Sequence, residues 1–297
     1  MPVAIFGQTG LIGNAIKNKF HDNFFDVHLT QWNESEIVST WSQLTSLASS
    51  SNLQIDLVWA AGAANNSSDE SVIKEEIKLI DTLIGQIKML PSNLRTLNLI
   101  SSAGSIYAGS KVGYIDAKTV PIPNSPYGQS RLIIEDRFMT LANLIGIPLS
   151  VYRLTNVYGQ KNKIKQNSGL ISHLINANLT RRELNIFVPL YVEQDYIDVE
   201  FVAKNIHSNI TNNRSVSNQI QIYCRNQSHS IMELISIIDK FMGRKTPFVT
   251  QEIASSSHRQ SNLRFNVDHI TYNMIPIQPL NFSIKKLVNE MMYAKIS

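Results

Sequence analysis

The stretch VAIFGQTGLIG, residues 3 to 13, constrains the fold of this chain more than any other. Its four apolar residues read as a short buried strand, and an apolar-periodic segment over 10–20 reads as a helix. Between them Gly7, Gly10 and Gly13 are spaced G-x-x-G-x-x-G. A strand that turns this sharply into a helix brings backbone against backbone, which residues without a Cβ permit.

The alternation continues down the chain. DVHL, DLVWAA, LRTLNLI and LSVYRL read as further strands, and residues 70–89 and 127–145 as helices. Strands that alternate with helices pair in parallel through right-handed crossovers. The expected fold is therefore α/β, a doubly wound parallel sheet of the Rossmann type. After residue 160 the rhythm changes to a basic loop, a helix near 167–178, a strand LNIFV, a turn into a helix at DYIDVEFVAKNI, and two helices within 230–297. IQIYC reads as one more strand of the main sheet. The expected division is residues 1–160 as a dinucleotide-binding domain and 161–297 as a smaller, partly interleaved α/β substrate domain.

Composition narrows the classes of partner. With 43% hydrophobic and 17% charged residues among 297, the chain folds as a globular protein. Its net charge of +4 is spread along the sequence with acids interspersed, which does not make a nucleic-acid surface. The one local concentration, QKNKIKQN at 160–167 with Lys161, Lys163 and Lys165, reads as a solvated loop or as a site for an anionic diphosphate. Cys224 is the only cysteine and sits in an apolar strand, so a core thiol and a reducing, cytoplasmic setting are expected. No apolar run reaches membrane-spanning length, and the N-terminus has no basic leader. The seven histidines are scattered and no cysteine cluster exists, so no bound metal is expected. A nucleophile elbow is also missing.

A glycine loop that ends a strand and opens a helix offers free N–H groups at the positive end of that helix, where a pyrophosphate fits. The expected cofactor is NAD or NADP, held by Gly7, Thr9, Gly10, Leu11, Ile12 and Gly13. The end of the second strand, VHLTQWNES, shows neither the acid nor the base that would separate the two, so the subtype stays open. The third strand ends in WAAGAANN, whose small residues Ala60, Ala61 and Gly62 admit a cofactor alongside.

SPYGQSR places Tyr127 one helical turn before Arg131, so the phenol and the cation share a face. A phenol of ordinary pKa near 10 is a poor base, and a cation within a few ångströms lowers it by about one to three units. GQTGLIG, ISSAGSIY, SPYGQSR, YRLTNVYG and EQDYIDVEFVA, in this order, resemble an extended short-chain dehydrogenase/reductase of the NAD-dependent epimerase/dehydratase family, many of which act on nucleotide sugars. The resemblance implies Tyr127 as acid/base, with Arg131 as electrostatic partner and ribose ligand where the family carries lysine. It places Ala103 where many relatives carry a catalytic Ser or Thr, leaving Ser102 or Ser105 to polarise the substrate oxygen, with Ser105 slightly favoured. It also implies Asn156 at nicotinamide and substrate, Gln194 in place of a diphosphate-binding arginine, and Arg259 as a diphosphate ligand. The implied activity is C4 epimerisation or 4-keto reduction of a nucleotide-linked sugar, in a homodimer built through residues 70–89 and 127–145, for surface-polysaccharide precursors. Loss of chemistry at Ala103 and Arg131, leaving a dinucleotide-binding sensor or scaffold, is the competing expectation.

Overall fold

The computed structural model describes residues 2–21, 23–27, 29–89, 93–161, 166–212, 217–251, 262–268 and 275–296. The first half runs β1 (Val3–Phe6), α1 (Leu11–Phe20), β2 (Phe24–Phe25), α2 (Glu34–Ser50), β3 (Ile55–Trp59), α3 (Glu70–Met89), β4 (Leu94–Ser102), the one-turn α4 (Ala103–Ile106), α5 (Pro126–Ile145) and β5 (Leu149–Leu154). The second runs β6 (Asn156–Lys161), β7 (Gln166–Ser168), α6 (Leu170–Thr180), β8 (Leu184–Ile186), β9 (Glu193–Asp198), α7 (Val199–Thr211), β10 (Gln219–Tyr223), β11 (Ser228–Ser230), α8 (Ile231–Met242), β12 (Phe248–Thr250) and α9 (Leu280–Ile296).

Six parallel strands in the order β10-β5-β4-β3-β1-β2 form the main sheet. Both faces are covered, and every residue of β1 and β3 is buried. On one face α2, α3 and α5 bury Trp41, Leu83 and Phe138 against Phe6 and Trp59. On the other α1 and α7 bury Ile16, Phe20 and Ile206 against Val58, Tyr152 and Tyr223. A second sheet, β11-β9-β6-β7, lies beside a third core made by α6, α8 and α9. Late elements return to the first layer, β10 as an edge strand and α7 against α1. Among the described residues no helix is long and apolar enough to cross a membrane.

The chain leaves β1 for β2 on one side and then crosses to β3 on the other, which makes the carboxyl ends of β1 and β3 a topological switch point. Gly7 occupies that point with φ +92°, and a Cβ on it would lie 2.5 Å from the Ala60 carbonyl oxygen. A Cβ on Gly13 would lie 2.2 Å from the carbonyl oxygen of Gly7. Two of the three loop glycines are therefore fixed by the chain's own backbone.

The helices expected at 10–20, 70–89 and 127–145 form within a residue of their expected ends. The second strand does not: it pairs only at Phe24 and Phe25, ahead of the expected DVHL. The Gln8 amide donates to the Val27 carbonyl at 2.6 Å, removing that acceptor from any ladder. EQDYIDV is a strand rather than a turn, because it pairs with both β6 and β11 before Asp198 caps α7. Helix α2 is an addition: Asn33 caps it and Ile37, Trp41, Leu44 and Ala48 form its buried stripe.

Gly7→Ala is expected to lower the free energy of unfolding by about 2 kcal/mol or more, through positive φ and the Ala60 clash. Gly85, mid-helix in α3 with nothing near its Cβ position, is the opposite case. Gly85→Ala should stabilise by about 0.5–1 kcal/mol, and urea unfolding of the two variants checks both signs.

Candidate active site

Helix α5 starts where its sequence dictates. The Ser125 hydroxyl accepts the Gly128 N–H at 3.1 Å, Pro126 fits the first turn, and Gly146 ends the helix at φ 70°. Gly128 lets the helix lie directly on α4, since a Cβ there would come within 2.5 Å of the Ser105 carbonyl oxygen. This seat aims the first two turns of α5 into an open cleft bounded by Ala60–Gly62, Ser102, Thr155, Tyr127 and Arg131, with Ile12 from α1.

Tyr127 and Arg131 share a face, with the guanidinium carbon 4.8 Å from the centre of the phenol ring. Their electrostatics differ from expectation. Burial pushes the Tyr127 phenol above its ordinary value; the Arg131 charge pulls it down and Glu76 pushes it up, and burial prevails. Glu76 of α3 pairs with the cation: Arg131 Nη2 donates to its Oε1, and both side chains are about nine-tenths buried or more. One guanidinium nitrogen is thus committed to a carboxylate, while the side chain lines the cleft.

Of the two candidate hydroxyls, Ser102 is on the cleft wall. Ser105, the slightly favoured of the two, is 3% exposed and lies behind it, 3.1 Å between the two Oγ atoms. The Ser102 Oγ also accepts the Ser105 N–H at 3.4 Å, which caps the single turn of α4. Ala103 is completely buried in a cluster with Tyr107 and Phe265. Asn156 lies between Thr155 and Val157 of the cleft wall and donates its amide to the Asp195 carbonyl at 3.0 Å and to Gln194 at 3.4 Å, tying β6 to β9. Lys161 ends β6, whereas Lys163, Lys165 and Arg259 lie outside the described residues. Cys224 is fully buried, and burial holds its thiol well above the ordinary range.

In the glycine loop, Thr9 is exposed and Gly10 half-buried at the N-cap of α1, with no side-chain cap. Leu11 and Ile12 follow half-buried on its first turn. The first N–H groups of α1 therefore face outward as an anion would need. The shortened β2 ends just before Asp26, nineteen residues after Gly7, and this is where an acidic side chain accepts ribose hydroxyls. The Asp26 carboxylate accepts from Gln8 Nε2 at 2.7 Å and Lys17 Nζ at 3.4 Å, which sets it beside the loop. The strand shift hides this acid from a reading that places the strand at DVHL.

Two buried groups behind the cleft have no motif to announce them. Arg153 of β5 donates to Glu135 of α5 at 2.6 Å and to the Tyr107 hydroxyl at 2.6 Å, while Ser101 donates to Glu135 at 2.6 Å. Asp195 of β9 accepts from the Thr155 hydroxyl at 2.7 Å and from the N–H groups of Arg225 and Gln227. Burial pushes its carboxyl up to about 6, against those donors. The available sequence signal was a charge inside an apolar pattern: Arg153 within LSVYRL, and Glu76 on the stripe formed by Ile73, Leu79 and Ile80.

A doubly wound sheet with a glycine loop at its switch point, and a Tyr, a Ser and a cation converging beneath it, defines an α/β protein of the nucleotide-cofactor class. The chain belongs to the NAD dependent epimerase/dehydratase family, whose model matches residues 3–222. A Methanocaldococcus jannaschii protein with the provisional name UDP-glucose 4-epimerase is 26% identical over 216 residues, 68% of this chain and 71% of that protein. The UDP-glucose 4-epimerase of Thermotoga maritima, solved with UDP-glucose, superposes with a TM-score of 0.81 at 18% identity over 100% of both chains. The Thermus thermophilus UDP-glucose 4-epimerase, solved with NAD, gives 0.79 at 15% identity over 98% of this chain and 99% of that one. At these identities the solved structures share the fold.

Asp195 makes a pH-dependent contribution to stability. Its folded value of about 6 lies above the ordinary 3.8, so the contribution is full below about pH 3.8 and is lost as pH rises through 6. About two units correspond to about 3 kcal/mol at most. Asp195→Asn is expected to lose less stability than wild type between about pH 4 and about pH 7, measured by denaturant unfolding at each pH.

Proposed function

We propose that this protein is an NAD-dependent 4-epimerase of a UDP-linked sugar. The observation that carries the reading is the convergence of Tyr127, Ser102, the end of β3 and Ile12, on the first turn after the glycine loop, on one cleft at the switch point of the sheet. The residues fit the cofactor: uncapped N–H groups at α1 for a pyrophosphate, Ala60–Gly62 as a low wall, and Asp26 as an acceptor that suits ribose hydroxyls and repels a 2′-phosphate. NAD supplies hydride acceptance and, in its oxidised form, a positive charge.

The protein's own groups handle the proton and the orientation. Ser102 donates a hydrogen bond to the oxygen on the reacting sugar carbon, and Ser105 orients it. Tyr127 takes the hydroxyl proton as that carbon is oxidised and returns it to the same oxygen once the sugar has presented its other face. Thr155, fixed by Asp195, lines the opposite side. Gln194 and Asn156 make that flank neutral where an arginine would favour a diphosphate. The same reading includes a cytoplasmic homodimer through α3 and α5, supported by Ile133 and Leu144 on α5, 44% and 66% exposed. It also includes supply of a surface-polysaccharide precursor.

The test begins with the purified protein, denatured to release its cofactor, and a parallel assay of UDP-glucose, UDP-galactose, UDP-N-acetylglucosamine and UDP-glucuronic acid without added nucleotide. NAD rather than NADP in the supernatant, with interconversion of one pair of C4 epimers, is expected. Released NAD with no sugar turned over would instead leave the non-catalytic sensor or scaffold.

A further inference from the structure

Glu76 is a carboxylate on the apolar stripe of α3, 5% exposed. Its partners come from two walls of the cleft. Oε1 accepts from Arg131 Nη2, and Oε2 accepts the Ala64 N–H at 3.2 Å. Gly62 leaves room for it, since a Cβ there would lie 2.8 Å from Oε1. Arg131 in turn stands over the Tyr127 ring at 4.8 Å, and its Nε has no hydrogen-bond partner among the described residues. The guanidinium is therefore oriented by Glu76 on one side and by the face of the phenol on the other. Two charged groups act on the phenol, Arg131 from its own helix and Glu76 from α3, with opposite signs. From α4 the uncharged Ser105 backbone lies against Gly128 of the phenol's helix.

We propose that Glu76 is a positioning residue for Tyr127: it holds the Arg131 guanidinium over the phenol ring and offsets that cation's charge. The inference rests on the reading of Tyr127 as the acid/base. Arginine at this position works differently from a lysine, because its fork bonds a carboxylate while its plane stacks on the ring. The pair also joins α5 to the Gly62–Ala64 segment, so the wall facing the cofactor and the helix carrying the phenol move as one.

The test reads the phenol itself and needs neither substrate nor cofactor, so it stands or falls separately from the role of Tyr127 in turnover. Tyr127 is titrated by ultraviolet difference absorption in the full chain, with Tyr127→Phe as the blank. In Glu76→Gln, neutral and isosteric, the midpoint is expected to move down by about one pH unit, the effect of one neighbouring charge. A carboxylate with a merely structural role would leave the midpoint in place, and that result overturns the proposal. Glu76→Gln/Arg131→Gln removes both charges and strands neither, so it carries the test if the single variant does not fold. The double variant is expected to titrate close to wild type; a midpoint raised by about one unit would show that Glu76 had not been offsetting the cation.

Discussion

Helix α5 turns two charged side chains, Arg131 and Glu135, into the protein, and each must meet a counter-ion there. Arg131 meets Glu76 of α3, and Glu135 meets Arg153 of β5, with Ser101 donating to Glu135 and Tyr107 accepting from Arg153. Breaking one such buried pair costs about 3–5 kcal/mol, because it strands the remaining charge. A helix held by two of them, four residues apart, has one rotation and one depth. Tyr127 takes its place from that constraint, one turn ahead of Arg131 and over the cleft.

The second fixed point is the glycine loop. Gly7 lies against Ala60 and Gly13 against Gly7, so the loop and the end of β3 form one contiguous piece of backbone. With α1 opening directly from it, that piece presents N–H groups on one side and the small residues Ala60–Gly62 on the other. The two fixed points meet through Glu76, which bonds the Ala64 N–H on the β3 side and Arg131 on the α5 side. Cofactor wall and phenol are thereby parts of one rigid arrangement. Burial holds the phenol above its ordinary value, with Arg131 and Glu76 acting on it in opposite senses.

Much of this was legible in the sequence where periodicity or backbone chemistry speaks directly. The glycines, the alternation of strands and helices, and the Tyr127–Arg131 spacing all follow from short-range rules, and α1, α3 and α5 form where they predict. What was not legible depends on distant partners. Gln8 shortens the second strand by taking the Val27 carbonyl, so the strand ends just before Asp26. Ser102 and Ser105 differ in which way α4 turns them, a matter of one cap. The effect of Arg131 on the phenol depends on Glu76, 55 residues earlier in the chain, and a lone glutamate on an apolar stripe marks a buried partner without naming it.

The central claim is that Tyr127 carries the proton of the reaction while the rest of the cleft holds cofactor and sugar. The most direct measurement compares wild type with Tyr127→Phe for turnover of UDP-glucose at saturating NAD, with NAD affinity measured alongside. The account predicts unchanged NAD affinity and a turnover lower by about 10²- to 10⁴-fold, the contribution of one general acid/base. Wild-type turnover by the phenylalanine variant would contradict it.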